Sequence, residues 1–359
     1  MGNKKWHETF YTYIWVFNTG RGLSVCVRFP HNIGVLFDLG SSEDFSPIEF
    51  VAKHIAPKLT PYKKNSIAQC FLSHPHVDHI WEIGRVCDHG NEKALLHPNL
   101  LTCPNDKVVG EEVDFDRLIN DDNRDLIALY RSSYEHRTPP LQSLESDGRA
   151  NVPNIEYGFY YVLPSRVDEL HPAVDQDYGN GLSLVFYLRH DKNSILIPGD
   201  ITPDAMKELL LGGKHVAKRF TYFSNAPAGV PADFHLRTST QPTLKAVLNQ
   251  RGLSVLVTPH HGLESCYSPE LFEAIRGNKP YINIISDKRH LSEQDGTVDP
   301  RYQKAEDAIG ATVDIEGTEE ERYSASTRDG HHILIVLTGT VDHPHVFLRS
   351  DPEKLLNIA

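Results

Sequence analysis

No stretch of the chain approaches the roughly 18 consecutive apolar residues that a membrane-spanning helix requires. The longest apolar runs, such as Ile333 to Leu337, have the length of a strand. Lys4 and Lys5 precede a short aromatic stretch, Phe10 to Phe17, but polar residues interrupt it and no small-residue cleavage site follows. No signal peptide and no membrane span are therefore expected. Cysteines are few, odd in number and without CxxC spacing: Cys26, Cys70, Cys87, Cys103 and Cys266. That argues against a disulfide framework and for reduced thiols in a cytoplasmic protein. There is no long basic block, and the net charge is −12. Non-specific wrapping of duplex nucleic acid is disfavoured by that balance, whereas a local basic groove is not. Internal repeats and low-complexity tracts are also missing. With 40% apolar and 23% charged residues, wholesale disorder is excluded. What the chain has in excess is histidine, 20 of 359 residues. Histidine is the commonest metal ligand and the side chain best suited to moving protons near neutral pH, so clustering is the question.

The N-terminal third reads as short strands, Thr12 to Phe17, Leu23 to Phe29 and Gly34 to Asp38, separated by turn residues. Ser46 to Ile55 reads as a helix with Pro47 in its first turn. Ala68 to Ser73 is an apolar strand that runs into a histidine-rich segment. Ala94 to His97 reads as a strand and Asp122 to Tyr134 as a helix, amid polar stretches. Strand patterns resume at 158–163, 182–188 and 194–198, then at 254–258, 281–286 and 332–337. Helices are expected at 204–211, 244–249 and 269–276. The order suits two sheets with helices outside better than a doubly wound sheet.

The densest chemistry is His74-Pro-His76-Val-Asp78-His79. At a strand end, side chains two apart point the same way, so His74 and His76 converge on one cation. A turn into helix then sends Asp78 and His79 toward a second cation beside the first. Imidazoles with a carboxylate suit zinc and tolerate manganese or iron. Two later segments add donors. The strand at Ser194 to Pro198 ends in Gly199-Asp200, where a carboxylate could bridge two cations and glycine permits a tight turn. Alone, such an aspartate reads as a solvated turn residue. Val255 to Pro259 leads to His260-His261-Gly262, again histidines at the end of an apolar strand. The shared pattern gives these segments their weight: three strands end in metal-type donors.

HxHxDH, then a strand ending in Gly-Asp, then a late strand ending in His before Gly, resembles the ordered signature of the metallo-β-lactamase superfamily. Asp38-Leu39-Gly40 is similar to its early Asp-Gly turn, which buttresses the metal loop. Asn18 to Ser24, Thr258 to Gly262 followed by Ser268-Pro269-Glu270, and Ser326 to Gly330 resemble the hydrolase domain of ComEC-type competence proteins. The resemblance implies an α/β fold, an αβ/βα four-layer sandwich with two mixed sheets inside. One such domain is expected over 1–359, with insertions at about 100–155 and 212–240. It also implies His74, His76, Asp78, His79 and Asp200 as ligands of two divalent cations, zinc or alternatively manganese. One of His260 and His261 should complete the second site, with His261 favoured. The family's remaining first-site histidine falls on Asn180 here, a weaker carbonyl ligand, with His171 as a substitute should its loop fold back. His290 occupies a stretch where that branch also places a histidine near the metals. Lys288 and Arg289 beside it would help hold an anion, and Tyr302 has a lesser claim.

These readings converge on a metal-dependent hydrolase whose hydroxide is activated by two cations and oriented by Asp78, with His260 or His290 protonating the leaving group. Because the nearest branch is associated with DNA degradation, the expected substrate is a phosphodiester, such as single-stranded DNA or RNA or a small phosphodiester. A hydrolase of a neutral ester, lactone or amide is the alternative. A metal-bearing binding subunit of a larger assembly is the third reading.

Overall fold

The computed structural model describes residues 11–59, 66–86, 94–104, 113–136, 155–222, 242–277, 279–287, 297–339 and 343–358. Two mixed sheets make the frame. The first contains β1 (Thr12–Val16), β2 (Val25–Phe29), β3 (Ile33–Phe37), β4 (Ser66–Phe71) and β5 (His97–Thr102). The second contains β6 (Ile155–Val162), β7 (Val185–His190), β8 (Asn193–Ile197), β9 (Val216–Tyr222), β10 (Val255–Val257) and β11 (Ile282–Ile285). Of the remaining strands, β12 (Ala311–Ile315), β13 (Thr318–Arg322), β15 (His332–Leu337) and β16 (His345–Arg349) join the first sheet, and β14 (Ser324–Ser326) the second. The nine-stranded order is β13-β12-β16-β15-β1-β2-β3-β4-β5, and the seven-stranded order is β14-β11-β10-β8-β7-β6-β9.

Strand register explains why both faces of each sheet are apolar. In β1, Ile14 and Val16 point inward and pair with Val27, Ile335, Val25 and Ile333. Tyr13 and Trp15 point outward, above Cys26, Leu334 and Val336. The inward residues of both sheets, including Phe71, Phe159, Phe186, Ile195, Val255 and Ile284, form one buried cluster between them. Outward residues such as Tyr160, Tyr187, Leu196 and Leu256 lie under helices through Met206, Leu209, Val247 and Leu271. Each such large apolar side chain contributes about 1.5–3 kcal/mol on burial. The result is helix–sheet–sheet–helix, as the sequence predicts, with strands that read as near-continuous apolar runs.

Two local expectations change. Residues 216–222, expected within an insertion, form β9, the edge of the second sheet paired to β6 along its whole length. Within 100–155, the helix Arg124–His136 forms as predicted, while the strand expected at 94–97 lies later, as β5, paired with β4. Segments 137–154 and 223–241 lie outside the described residues.

Topology also decides where chemistry can gather. Strands β3 and β4 run parallel, with Phe37 beside Phe71, so Asp38 and Ser73 leave their strands side by side. Strands β8, β10, β11 and β14 are parallel neighbours. Asp200, His261, Ser286 and Thr327 therefore emerge from one end of the second sheet.

Candidate metal centre

Asp38 organises the centre from below. Fully buried, with a left-handed φ of 56°, it accepts the Ser73 backbone N–H at 2.6 Å through Oδ1. Its Oδ2 accepts the Ser73 hydroxyl at 2.6 Å and His79 Nδ1–H at 2.7 Å. The Ser73 oxygen accepts in turn from His74 Nδ1–H at 2.9 Å. Both imidazoles are thus held through Nδ1 and present Nε2 inward, the way supporting carboxylates and hydroxyls orient ligating histidines.

His74 Nε2 lies 3.0 Å from His76 Nδ1, so the pair converges. The far side of His76 rests on Gly179, where a Cβ would stand only 2.3 Å from Nε2. His79 Nε2 lies 3.2 Å from Asp200 Oδ1. His261 donates Nδ1–H to the Ser286 carbonyl at 2.7 Å and points Nε2 at Asp78 Oδ2 and Asp200 Oδ2, each 3.5 Å away. One ligand atom from each of Asp78, His79, Asp200 and His261 falls within 4.8 Å of the other three.

His260 behaves differently from its neighbour. Its Nδ1 is 2.9 Å from Cys266 Sγ, and its Nε2 faces Asp200 Oδ2 at 3.6 Å. An Nε2 facing a carboxylate carries the proton, and Nδ1 then accepts from the thiol. Burial pushes that thiol up to about 12, keeping it protonated. The adjacent histidines differ in what holds Nδ1: the Ser286 carbonyl fixes His261, whose Nε2 faces both carboxylates, whereas the Cys266 thiol fixes His260.

Backbone strain concentrates at the same place. Among the described residues six non-glycine positions have left-handed φ, and three of them are Asp38, His260 and His261. Such strain persists where surrounding structure over-determines it, typically at functional sites. Gly22 and Gly40 grip the Asp78 carbonyl, which would lie 2.3 and 2.5 Å from a Cβ at those positions.

The donor set fits divalent cations. His79 Nε2 and His261 Nε2 are buried and face carboxylates without a well-aligned hydrogen bond, and Asn180 Oδ1 is buried with no hydrogen bond among the described residues. Leaving such atoms unsatisfied costs about 1–3 kcal/mol each, and these atoms are the ones a cation would engage. Electrostatics agree. Burial alone would depress His79, but the carboxylates of Asp200, Asp38 and Asp78 outweigh it and raise its pKa well above the ordinary value. His261 is raised against burial by Asp200 and Asp78. His74 moves far down through burial and the nearby His79 and His76, while burial lowers His76 and His260. Asp78 and Asp200 sink well below the carboxylate range because His79 and His261 prevail over burial.

Other candidates fall elsewhere. His171 turns its Nε2 to Thr202 Oγ1 at 2.9 Å, and among the described residues no hydrogen bond or ion pair joins its side chain to the cluster. Tyr302 is buried against Tyr267 and Phe272, so it is a core residue. His290, Lys288 and Arg289 lie outside the described residues. Residues that sequence reasoning missed are Ser183, Ser286, Cys266 and Gly22. Ser183 accepts the Asp200 N–H at 3.2 Å, and Ser286 acts through a carbonyl that any residue would supply. Only the glycine-rich run at 19–22 offered a usable signal.

Residues 19–148 match the sequence model of the metallo-beta-lactamase superfamily. No curated protein matches the chain.

Proposed function

From a metallo-β-lactamase domain with this centre, we propose a metal-dependent hydrolase that holds two divalent cations, zinc in the first instance, and cleaves phosphodiesters. The observation that carries it is the meeting of Asp78, His79, Asp200 and His261 beside the converging His74–His76 pair. His74, His76 and Asn180 would hold the first cation, Asp78, His79 and His261 the second, and Asp200 both. Bound cations of this kind supply Lewis acidity and lower the pKa of water to near 7. The chain's own residues do the rest. Asp78, low in pKa and half-exposed, stays ionised, accepts a hydrogen bond from the attacking water and sets its direction. His260, a neutral imidazole, would donate an Nε2–H hydrogen bond to the leaving oxygen, with the Cys266 thiol on its other nitrogen, and the proton that finally neutralises that oxygen comes from solvent. Asp38 fixes His79 so that no reorientation is needed. The motifs at 18–24, 258–262 and 326–330 support a ComEC-like, nucleic-acid-directed reading.

One observation favours a neutral ester or amide instead. The cavity of about 370 Å³ beside His76 and Asp78 is walled by Leu118, Asn120, Gln176 and Arg117. Arg117 already gives Nε to Asp175, Nη1 to Asp168 and Nη2 to the His171 carbonyl. Metal-loaded protein offered labelled single-stranded DNA, RNA, bis-p-nitrophenyl phosphate and lactones should cleave the phosphodiesters. Turnover of lactones with no phosphodiester cleavage under zinc, manganese, nickel or magnesium would overturn the proposal in favour of the second reading.

A further inference from the structure

A second cavity with charged walls has no part in the centre above. It encloses about 650 Å³ where the two sheets splay apart at their free edges. Strand β13 ends the nine-stranded sheet and β14 ends the seven-stranded one. Val313, Ile315 and Leu348 of the first sheet and Ile285 of the second give it an apolar floor. Ser324, Ser326, Arg328 and His331 form one polar wall. None of these residues is among the metal-centre candidates, and β14 is separated from the strand of His261 by β11, about 10 Å at ordinary strand spacing.

Two half-buried basic side chains on that wall, Arg328 and His331, enter no side-chain hydrogen bond or ion pair among the described residues. Arg328 Nε and His331 Nδ1 are themselves shut off from solvent, so a ligand in the cavity would be met by Arg328 Nη1 and Nη2 and by His331 Nε2. The Arg328 backbone N–H donates to Ser326 Oγ at 3.1 Å. Opposing charge is present but otherwise engaged or peripheral. Glu320 is bound by Arg322 of the same strand through Nε at 2.9 Å, and Asp329 lies exposed on the rim. A guanidinium left unpaired beside an imidazole and two hydroxyls is a fork for an oxyanion, and it recognises planar or tetrahedral oxyanions bidentately. The cavity is in the size range of small-ligand sites, and its apolar floor would receive an attached body.

We propose that this edge cavity is a second binding site, for a small organic anion whose carboxylate or phosphate head sits on Arg328 and His331 and whose apolar body lies against Ile285, Val313 and Leu348. The inference stands apart from the hydrolase reading. Isothermal titration of the metal-loaded protein with phenyl phosphate and with phenylacetate separates the two head groups, and benzyl alcohol supplies the body without the charge. Saturable binding of one anion or both is expected, with none of the alcohol at equal concentration. Arg328→Gln should weaken it roughly ten- to a hundredfold, the worth of a charge-assisted pair. Asp200→Ala, which dismantles the metal centre, should leave it unchanged. Should Arg328→Gln fail to fold by circular dichroism, Arg328→Lys and His331→Gln carry the same comparison. No binding by the wild type at millimolar anion, equal binding by the folded Arg328 variants, or binding lost in Asp200→Ala would each overturn the site.

Discussion

Asp38 never faces substrate, yet two of the three imidazoles of the first loop, His74 and His79, depend on it, directly or through Ser73. Asparagine in its place keeps the volume but loses one acceptor, so the Ser73 hydroxyl and His79 Nδ1–H can no longer share an oxyanion. Asp38→Asn is expected to reduce metal affinity roughly 10–100-fold, as loss of a supporting partner typically does. Competition with a chromophoric chelator measures it, and unchanged affinity would contradict the orienting role. The same residues predict a pH signature. His79 and His261 are raised in the folded chain, so their contribution is complete below the ordinary 6.5 and disappears as pH climbs through the raised values. His74, His76 and His260 are lowered, so stability falls as pH drops below 6.5 and the unfolded chain takes up protons first. Chelator-treated protein should therefore have its highest Tm near about pH 6.5. Cation binding needs both raised histidines deprotonated, so the Tm gain on adding zinc should grow on the alkaline side. A chelated protein whose Tm keeps rising from pH 6.5 to about 8.5 would refute this sign.

At the scale of elements, the short helix Asp175–Gly181 is the one whose existence the sequence least announces. DQDYGNG holds two glycines and little helix propensity, and no element is expected there from sequence. It forms because tertiary contacts impose it: Tyr178 is buried, accepts the Asp114 N–H at 3.0 Å and lies under the Arg117 guanidinium at 4.3 Å. That helix seats Gly179 against His76 and carries Asn180, so Arg117 would steady half of the proposed first cation site from outside it. Arg117→Met should cost only about 1 kcal/mol, because Asp168 and Asp175 are largely exposed. Zinc content at limiting metal should nonetheless fall from two toward one per chain, read by elemental analysis. Two tightly held ions in that variant would sever the link. Strands with apolar runs on both faces were legible in sequence, and so were the donor-bearing strand ends. Strand β13 was not, since all five residues of TEEER are exposed and only pairing with β12 makes them a strand. The supporting hydroxyls and carbonyls were illegible for a related reason, since Ser183 and Ser286 matter through contacts that no local pattern encodes.

For the whole molecule, the donors come from both sheets. His74, His76, Asp78 and His79 follow β4 of the first sheet, whereas Asp200 and His261 follow β8 and β10 of the second. Apart from the shared apolar layer, few described polar contacts tie these ends together; Leu184 N–H to the Ser73 carbonyl at 2.8 Å and Ser286 Oγ to the Gly22 carbonyl at 3.0 Å are two. Cations held between the loops would therefore act as a cross-sheet staple, stabilising the folded chain by mass action: about 4 kcal/mol when free metal is a thousand times the dissociation constant. Chelation should lower Tm by several degrees, on the order of 2–4 °C per kcal/mol for a large domain. The mid-strand core of the sandwich does not depend on the metals, so the loss should be local before it is global. Hydrogen exchange tests that directly. Removing metal should speed exchange at the ends of β4, β8 and β10 together, in both sheets, while the centres of β1 and β15 stay protected. Faster exchange confined to the first sheet would mean that the carboxylate at 200 and the imidazole at 261 hold no cation in common with the histidine loop, and the two-cation reading would fall with it.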